Sequence, residues 1–184
     1  MNGSHRDDER PLGRVVVGVS GSLGSLAALH RAVAEARRTG AEFVPVLAWE
    51  PPGGEIGYRR SPCPPLLAAV RAAAEHRLTA ALETAFAGGD PGVALNPVVV
   101  RGETGPALVA VADRADDLLV VGQSGGLLRR RLRRSVTAYC VREAGCSVLT
   151  VSKPELQHEL EVLHRRNRWH LPVGPAPELV LAKG

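Results

Sequence analysis

Two short stretches of this sequence place glycine and hydroxyl residues directly after an apolar run, an arrangement that lets main-chain amides approach an anion. They are Gly18-Val-Ser-Gly-Ser-Leu-Gly-Ser25 and Gly122-Gln-Ser-Gly-Gly126. In the second, Gly122 and Gly125 would let N–H groups close on a phosphate, with the start of the following helix adding a favourable dipole. Ser135 and Thr137 add hydroxyls, and five arginines between Leu127 and Arg134 add positive charge. The same loop reads Gly-x-Ser-x-Gly around Ser124, the elbow that presents a hydrolase serine. An elbow needs an acid and then a histidine downstream, for which Glu143 or Glu155 and His158, His164 or His170 are available. Only one strand follows Ser124, and those histidines fall in a peripheral helix and tail that nothing holds at the serine. Geometry therefore disfavours a triad. The first loop is neither a Walker A motif nor GxGxxG, since its glycines fall at 18, 21 and 24 and no lysine follows. Ser22 or Ser25 equally suits a helix cap there.

The remaining chemistry-bearing residues are sparse. His30 and His76 sit singly, and His158 has no companion at metal-ligand spacing, so no metal site is expected. Cys63, Cys140 and Cys146 form no CxxC pair, and their odd number leaves a disulfide framework incomplete, which points to a reducing cytoplasm. Cys140 and Cys146 suit small core positions. The arginines of Leu127–Arg134 read either as a solvated face or as a site for phosphate or an acidic protein partner at Arg129–Arg134.

The elements that would position these loops alternate. Arg14–Val19, Glu42–Trp49, Val93–Val100, Asp117–Val121 and Ser147–Ser152 read as strands. Helices are expected from Leu26 to Gly40, from about Leu66 to Ala87, from a Thr104 cap to about Asp116, and from about Leu132 to Ala144. Pro45 is awkward inside its strand, and Pro97 demotes the third strand to an edge. Residues 50–65, with five prolines and three glycines, read as a long surface loop. Five strands alternating with helices demand a doubly wound parallel α/β sheet with helices on both faces. The most apolar strands, the first and fourth, belong at its centre, giving the order 3-2-1-4-5. Ligands enter such sheets at the carboxyl ends of the strands where the winding reverses, and both glycine-rich loops lie there. The apolar fifth strand lies at an edge open to pairing with its copy in a homodimer. The domains expected are a disordered polar leader over 1–13, the α/β domain over 14–153, and a helix with a proline-rich tail over 154–184.

Composition narrows the function classes. A chain of 184 residues buries about 70% of its unfolded surface and holds a core without a metal or disulfide. It is 45% hydrophobic and 23% charged, ordinary for a globular protein, and no apolar run reaches bilayer-spanning length. The polar start offers no secretory signal, so neither membrane nor export is expected. Net charge is +4, but removing the five clustered arginines leaves −1 on the rest. With six aromatic residues in the whole chain, a nucleic-acid surface is not expected.

Val15–Ser22, Leu47-Ala-Trp-Glu-Pro51, Val120–Gly126, Ser135-Val136 and Cys146–Val151, in that order, resemble the universal stress protein family, especially its actinobacterial style. The resemblance covers about residues 12–153. It implies the 3-2-1-4-5 sheet, a cytoplasmic homodimer and a stress-response regulator that is not an enzyme. In many members it also implies ATP or ADP between strands one and four. Carried over by position, Gly122 and Gly125 match the family's phosphate-loop glycines, Ser135 its terminal hydroxyl, and the main chain at Ala48 the adenine contact. Gly18, Ser20, Gln123, Ser124, Arg134 and Val136 complete the candidate set. Two positions depart from the pattern. Ser20 stands where nucleotide binders usually carry Asp, and Arg134 stands where they carry Gly, with one residue fewer back to Gly125. The alternative implied is a member without nucleotide that works as a dimeric interaction module.

Overall fold

The structure, a computed structural model, describes residues 13–123 and 135–152. By its internal contacts the chain divides into Met1–Lys153 and Pro154–Gly184, and the expected C-terminal helix and tail, like the leader over 1–12, lie outside the described residues. Five strands form one parallel sheet: β1 (Arg14–Gly18), β2 (Glu42–Trp49), β3 (Val98–Arg101), β4 (Leu118–Gly122) and β5 (Ser147–Val151). Their order is β3-β2-β1-β4-β5, as the sequence pattern predicts. The helices are α1 (Leu23–Thr39), α2 (Gly54–Arg60), α3 (Pro64–Phe86), α4 (Thr104–Val111) and α5 (Val136–Glu143).

Period-two alternation sends successive β1 side chains to opposite faces, and both faces are covered. Val15 and Val17 join one core with Leu29, Val33 and Leu78 of α1 and α3. Val16 joins the other with Leu108 of α4 and Cys140 of α5. Complete burial of such a side chain stabilises by about 1.5–3 kcal/mol. Among the described residues, no helix is long and apolar enough to cross a membrane.

Several boundaries differ from the sequence expectation, each for a local reason. The segment 50–65 is not one long loop: Gly53 and Gly54 turn the chain at positive φ and α2 follows. Ser22, not Leu26, fixes the start of α1, its hydroxyl accepting the Ser25 N–H at 3.2 Å. Glu103 is the N-cap of α4, so Thr104 is its first helical residue, and α4 stops at Val111 rather than near Asp116. α5 begins at Val136 behind a Ser135 cap, four residues later than expected. The third strand is shorter than Val93–Val100: only an isolated Phe43–Leu95 bridge precedes β3. That break explains Pro45. Phe43 and Trp49 bond outward, to Ala94, Asn96 and Gly102, so Pro45 lacks its N–H on the outer side of β2, before β3 begins.

Candidate functional site

The winding reverses between β1 and β4, which pair directly as Val15–Leu118, Val16–Leu119 and Val17–Val120. Their carboxyl ends, Gly18 to Ser20 and Gly122 to Gln123, therefore open the notch that the fold offers a ligand. Residues 124–134 lie outside the described residues, so Ser124, Gly125, Arg134 and the whole arginine octet are not placed.

Main-chain geometry at the notch is well defined. The last bond between β1 and β2 runs from the Val19 N–H to the Val46 carbonyl at 2.8 Å. Alternation turns the Ala48 N–H and C=O to the same side as those of Val46. Among the described residues no main-chain hydrogen bond reaches them there, so this peptide presents a donor and an acceptor beside the notch. A planar purine edge, carrying both an acceptor and a donor, is the kind of group that pairs with such a peptide.

On β1 the same alternation points the Gly18 C=O and Ser20 N–H toward β4. Ser25, only 5% exposed, bridges the two: its hydroxyl accepts from the Ser20 N–H at 2.9 Å and donates to the Gly18 carbonyl at 3.4 Å. Ser20 itself is exposed, its hydroxyl 3.0 Å from that of Ser22. It offers a neutral hydroxyl at the mouth where an aspartate would offer a charge.

Gly122 has a second role that its sequence context does not disclose. A Cβ there would overlap the Gly24 carbonyl, and one at Gly24 would stand 2.6 Å from the Gln123 carbonyl. The first turn of α1 thus rests on the end of β4 through two facing glycines. Gln123 remains tied to the sheet, its N–H donating to the Val151 carbonyl at 2.9 Å. Across the undescribed segment, Ser135 caps α5 by a long 3.5 Å bond from the Ala138 N–H, which leaves its own O–H free to donate. Val136 opens that helix, half-buried against the second core.

The structure thus brings Gly18, Ser20, Ala48, Gly122 and Gln123 to one end of the sheet, and makes Ser135 and Val136 the start of the helix that follows the loop. Sequence reasoning placed Gly24 and Ser25 in the first loop but left them out of the candidate set. A glycine in the first turn of a helix, opposite a strand-ending glycine, was the available signal. A groove of about 410 Å³ opens elsewhere, between α3 and the β3 edge, over Leu78, Leu82, Phe86, Leu95 and Val99. It belongs to the exposed edge of the sheet and holds none of the notch residues.

The ionisable groups give no catalytic constellation among the described residues. No group of three metal-ligating side chains occurs among them. Burial pushes the Cys140 thiol up to about 11 and raises that of Cys146, as expected of core positions. The strongest ion cluster lies at the opposite end of the sheet. Arg14 grips Asp117 through Nε at 2.9 Å and Nη2 at 2.6 Å, and also reaches Asp113. Its hydrogen bond to Asp117 raises the Arg14 pKa, and the hydrogen bond from Arg14 lowers that of Asp113. This clamp fastens the amino ends of β1 and β4, far from the notch.

Comparisons with known proteins agree with this fold. A model of the universal stress protein family matches residues 11–152. A universal stress protein solved in complex with cAMP is 29% identical, with a TM-score of 0.51, over 79% of this chain and 100% of its own. UspA from Lactobacillus plantarum shares the fold at 22% identity and a TM-score of 0.60, over 77% and 99% of the two chains. A family protein from Burkholderia pseudomallei does so at 24% identity and a TM-score of 0.51, over 76% and 96%. No curated protein matches the chain.

Proposed function

The chain belongs to the universal stress protein family, and we propose that it is a cytoplasmic stress-response regulator that binds an adenine nucleotide, ATP or ADP, between the ends of β1 and β4. The observation that carries this reading is the Ala48 peptide, which faces the switch point with no main-chain partner among the described residues. The similar protein solved with cAMP supports the ligand class. In this reading Ala48 pairs with the base, and Gly18 and Ser20 face the sugar. The amides of Gly122, Ser124 and Gly125, the exposed Gln123 side chain, the Ser135 hydroxyl, Arg134 and the chain at Val136 surround the phosphates. In this reading the activity is binding, not turnover. The family domain occupies 14–153 with 154–184 as an appendage. β5, paired only with β4, is the dimer edge, and Arg129–Arg134 is the face for an acidic protein partner.

One observation favours a second reading, a ligand-free interaction module. The Gly24 carbonyl takes the bare face of Gly122, so packing alone accounts for that glycine. Melting curves of the full chain with ATP, ADP and cAMP separate the two. At a hundredfold excess over Kd a ligand adds about 2.7 kcal/mol to the folded state. The nucleotide reading requires a rise in Tm that Gly125→Val abolishes while leaving the ligand-free Tm in place. No rise with any of the three supports the module.

A further inference from the structure

α2 buries no residue, and its Ile56 is 71% exposed. Apolar packing therefore holds it only through half-buried residues such as Tyr58. It is entered through Gly53 and Gly54 at φ +78° and +71°, a left-handed pair that can re-orient without the strain a side chain would impose. Its attachment is a polar clasp. Arg101, the last residue of β3, donates through Nε and Nη2 to the two Glu55 carboxylate oxygens at 2.7 and 2.9 Å, and its guanidinium carbon lies 4.8 Å from the centre of the Tyr58 ring. Arg101 is in register with Trp49, and the preceding pair is Val100 with Ala48. The clasp thus stands at the same end of the sheet as the Ala48 peptide, across β2 from the side that peptide faces.

We propose that Glu55 and Arg101, with Tyr58 against the guanidinium, are positioning residues that clasp α2 as a strap at the adenine end of the notch and set how fast a bound nucleotide leaves. The role at the notch rests on the nucleotide reading above. A two-pronged guanidinium–carboxylate pair fixes orientation, while its exposure keeps it weak and salt-sensitive. An element held in this way opens often and closes in one place, which is what a ligand strap requires. The hydrogen bond from Arg101 holds the Glu55 carboxyl below its usual range, with Arg59 adding to the effect, and the hydrogen bond to Glu55 raises the Arg101 pKa. Both groups are accordingly charged throughout the neutral range.

The test uses the full chain with Glu55→Ala, with Arg101→Ala, and with the exchanged pair Glu55→Arg/Arg101→Glu. Hydrogen exchange over residues 54–60 is expected to quicken about threefold in each single variant and to return toward wild type in the exchanged pair. Release of the fluorescent analogue mant-ATP, followed by stopped flow, is expected to quicken about threefold or more and to recover in the same way. Unchanged exchange in both single variants overturns the clasp, whether or not nucleotide binds. Faster exchange with unchanged mant-ATP release overturns its role at the notch. If the wild-type chain binds no mant-ATP, the nucleotide reading falls and takes the ligand role with it, and exchange alone then decides whether the clasp exists.

Discussion

Gly122 and Gly24 meet where a helix start and a strand end could otherwise not approach so closely. Gly122→Ala sets a methyl against the Gly24 carbonyl and is expected to cost about 1–3 kcal/mol, read as a fall in denaturation midpoint without a change in slope. Arg14→Ala should cost about 3 kcal/mol, because it strands the Asp117 carboxylate, whose side chain is 0% exposed. Its effect should appear in urea melts and leave ligand behaviour alone, since the clamp is at the far end of the sheet. The thiols give a simpler check. At pH 8 iodoacetamide should label the exposed Cys63 and spare the buried Cys140, whose thiol is held at about 11, until the chain is unfolded. At this scale the sequence was informative about residue types and blind to main-chain direction. Gly122 could be singled out from its loop, and Ser20 and Ala48 from the family resemblance, but the bridging by Ser25 and the open Ala48 peptide follow from which way each peptide points, and composition carries no trace of that.

Among the elements, the strands were the most legible. Val15–Val17 and Leu119–Val121 are continuous apolar runs because both faces of the central sheet are covered, and that continuity alone placed them at the centre. α2 was not legible. Seven residues without a buried face leave no periodicity to read, and the prolines and glycines around them signal a loop. The pH response of α2 tests whether its clasp is ionic. Arg101, Arg59 and Tyr58 face Glu55, and its folded pKa lies below the ordinary carboxylate value of about 4.3. The stabilisation is thus complete above that value and is lost as pH falls through the lower folded one. Amide signals of residues 54–60 should hold from pH 7 to about 4 and shift only below it. The end of α3 offers an independent test of backbone strain. Ala87 closes that helix at φ +51°, so Ala87→Gly should stabilise by about 1 kcal/mol, raising Tm by about 2–4 °C.

For the molecule as a whole, the sheet order and the place where the winding reverses followed from the alternation of strands and helices, and the apolar edge strand carries the expectation of a homodimer. β5 lacks a second neighbour in the sheet, and the proposed pairing with its copy predicts scattering at twice the 19.4 kDa chain mass. A charge at the exposed Thr150, as Thr150→Lys, should shift that value toward one chain. The central claim concerns where a ligand sits. Titrating ¹⁵N-labelled full chain with ATP should move the amides of Gly18, Ser20, Ala48, Gly122 and Gln123 together and saturably. Saturable shifts confined to Leu78, Phe86, Leu95 and Val99 at the β3 groove, or no shifts at all, would contradict it.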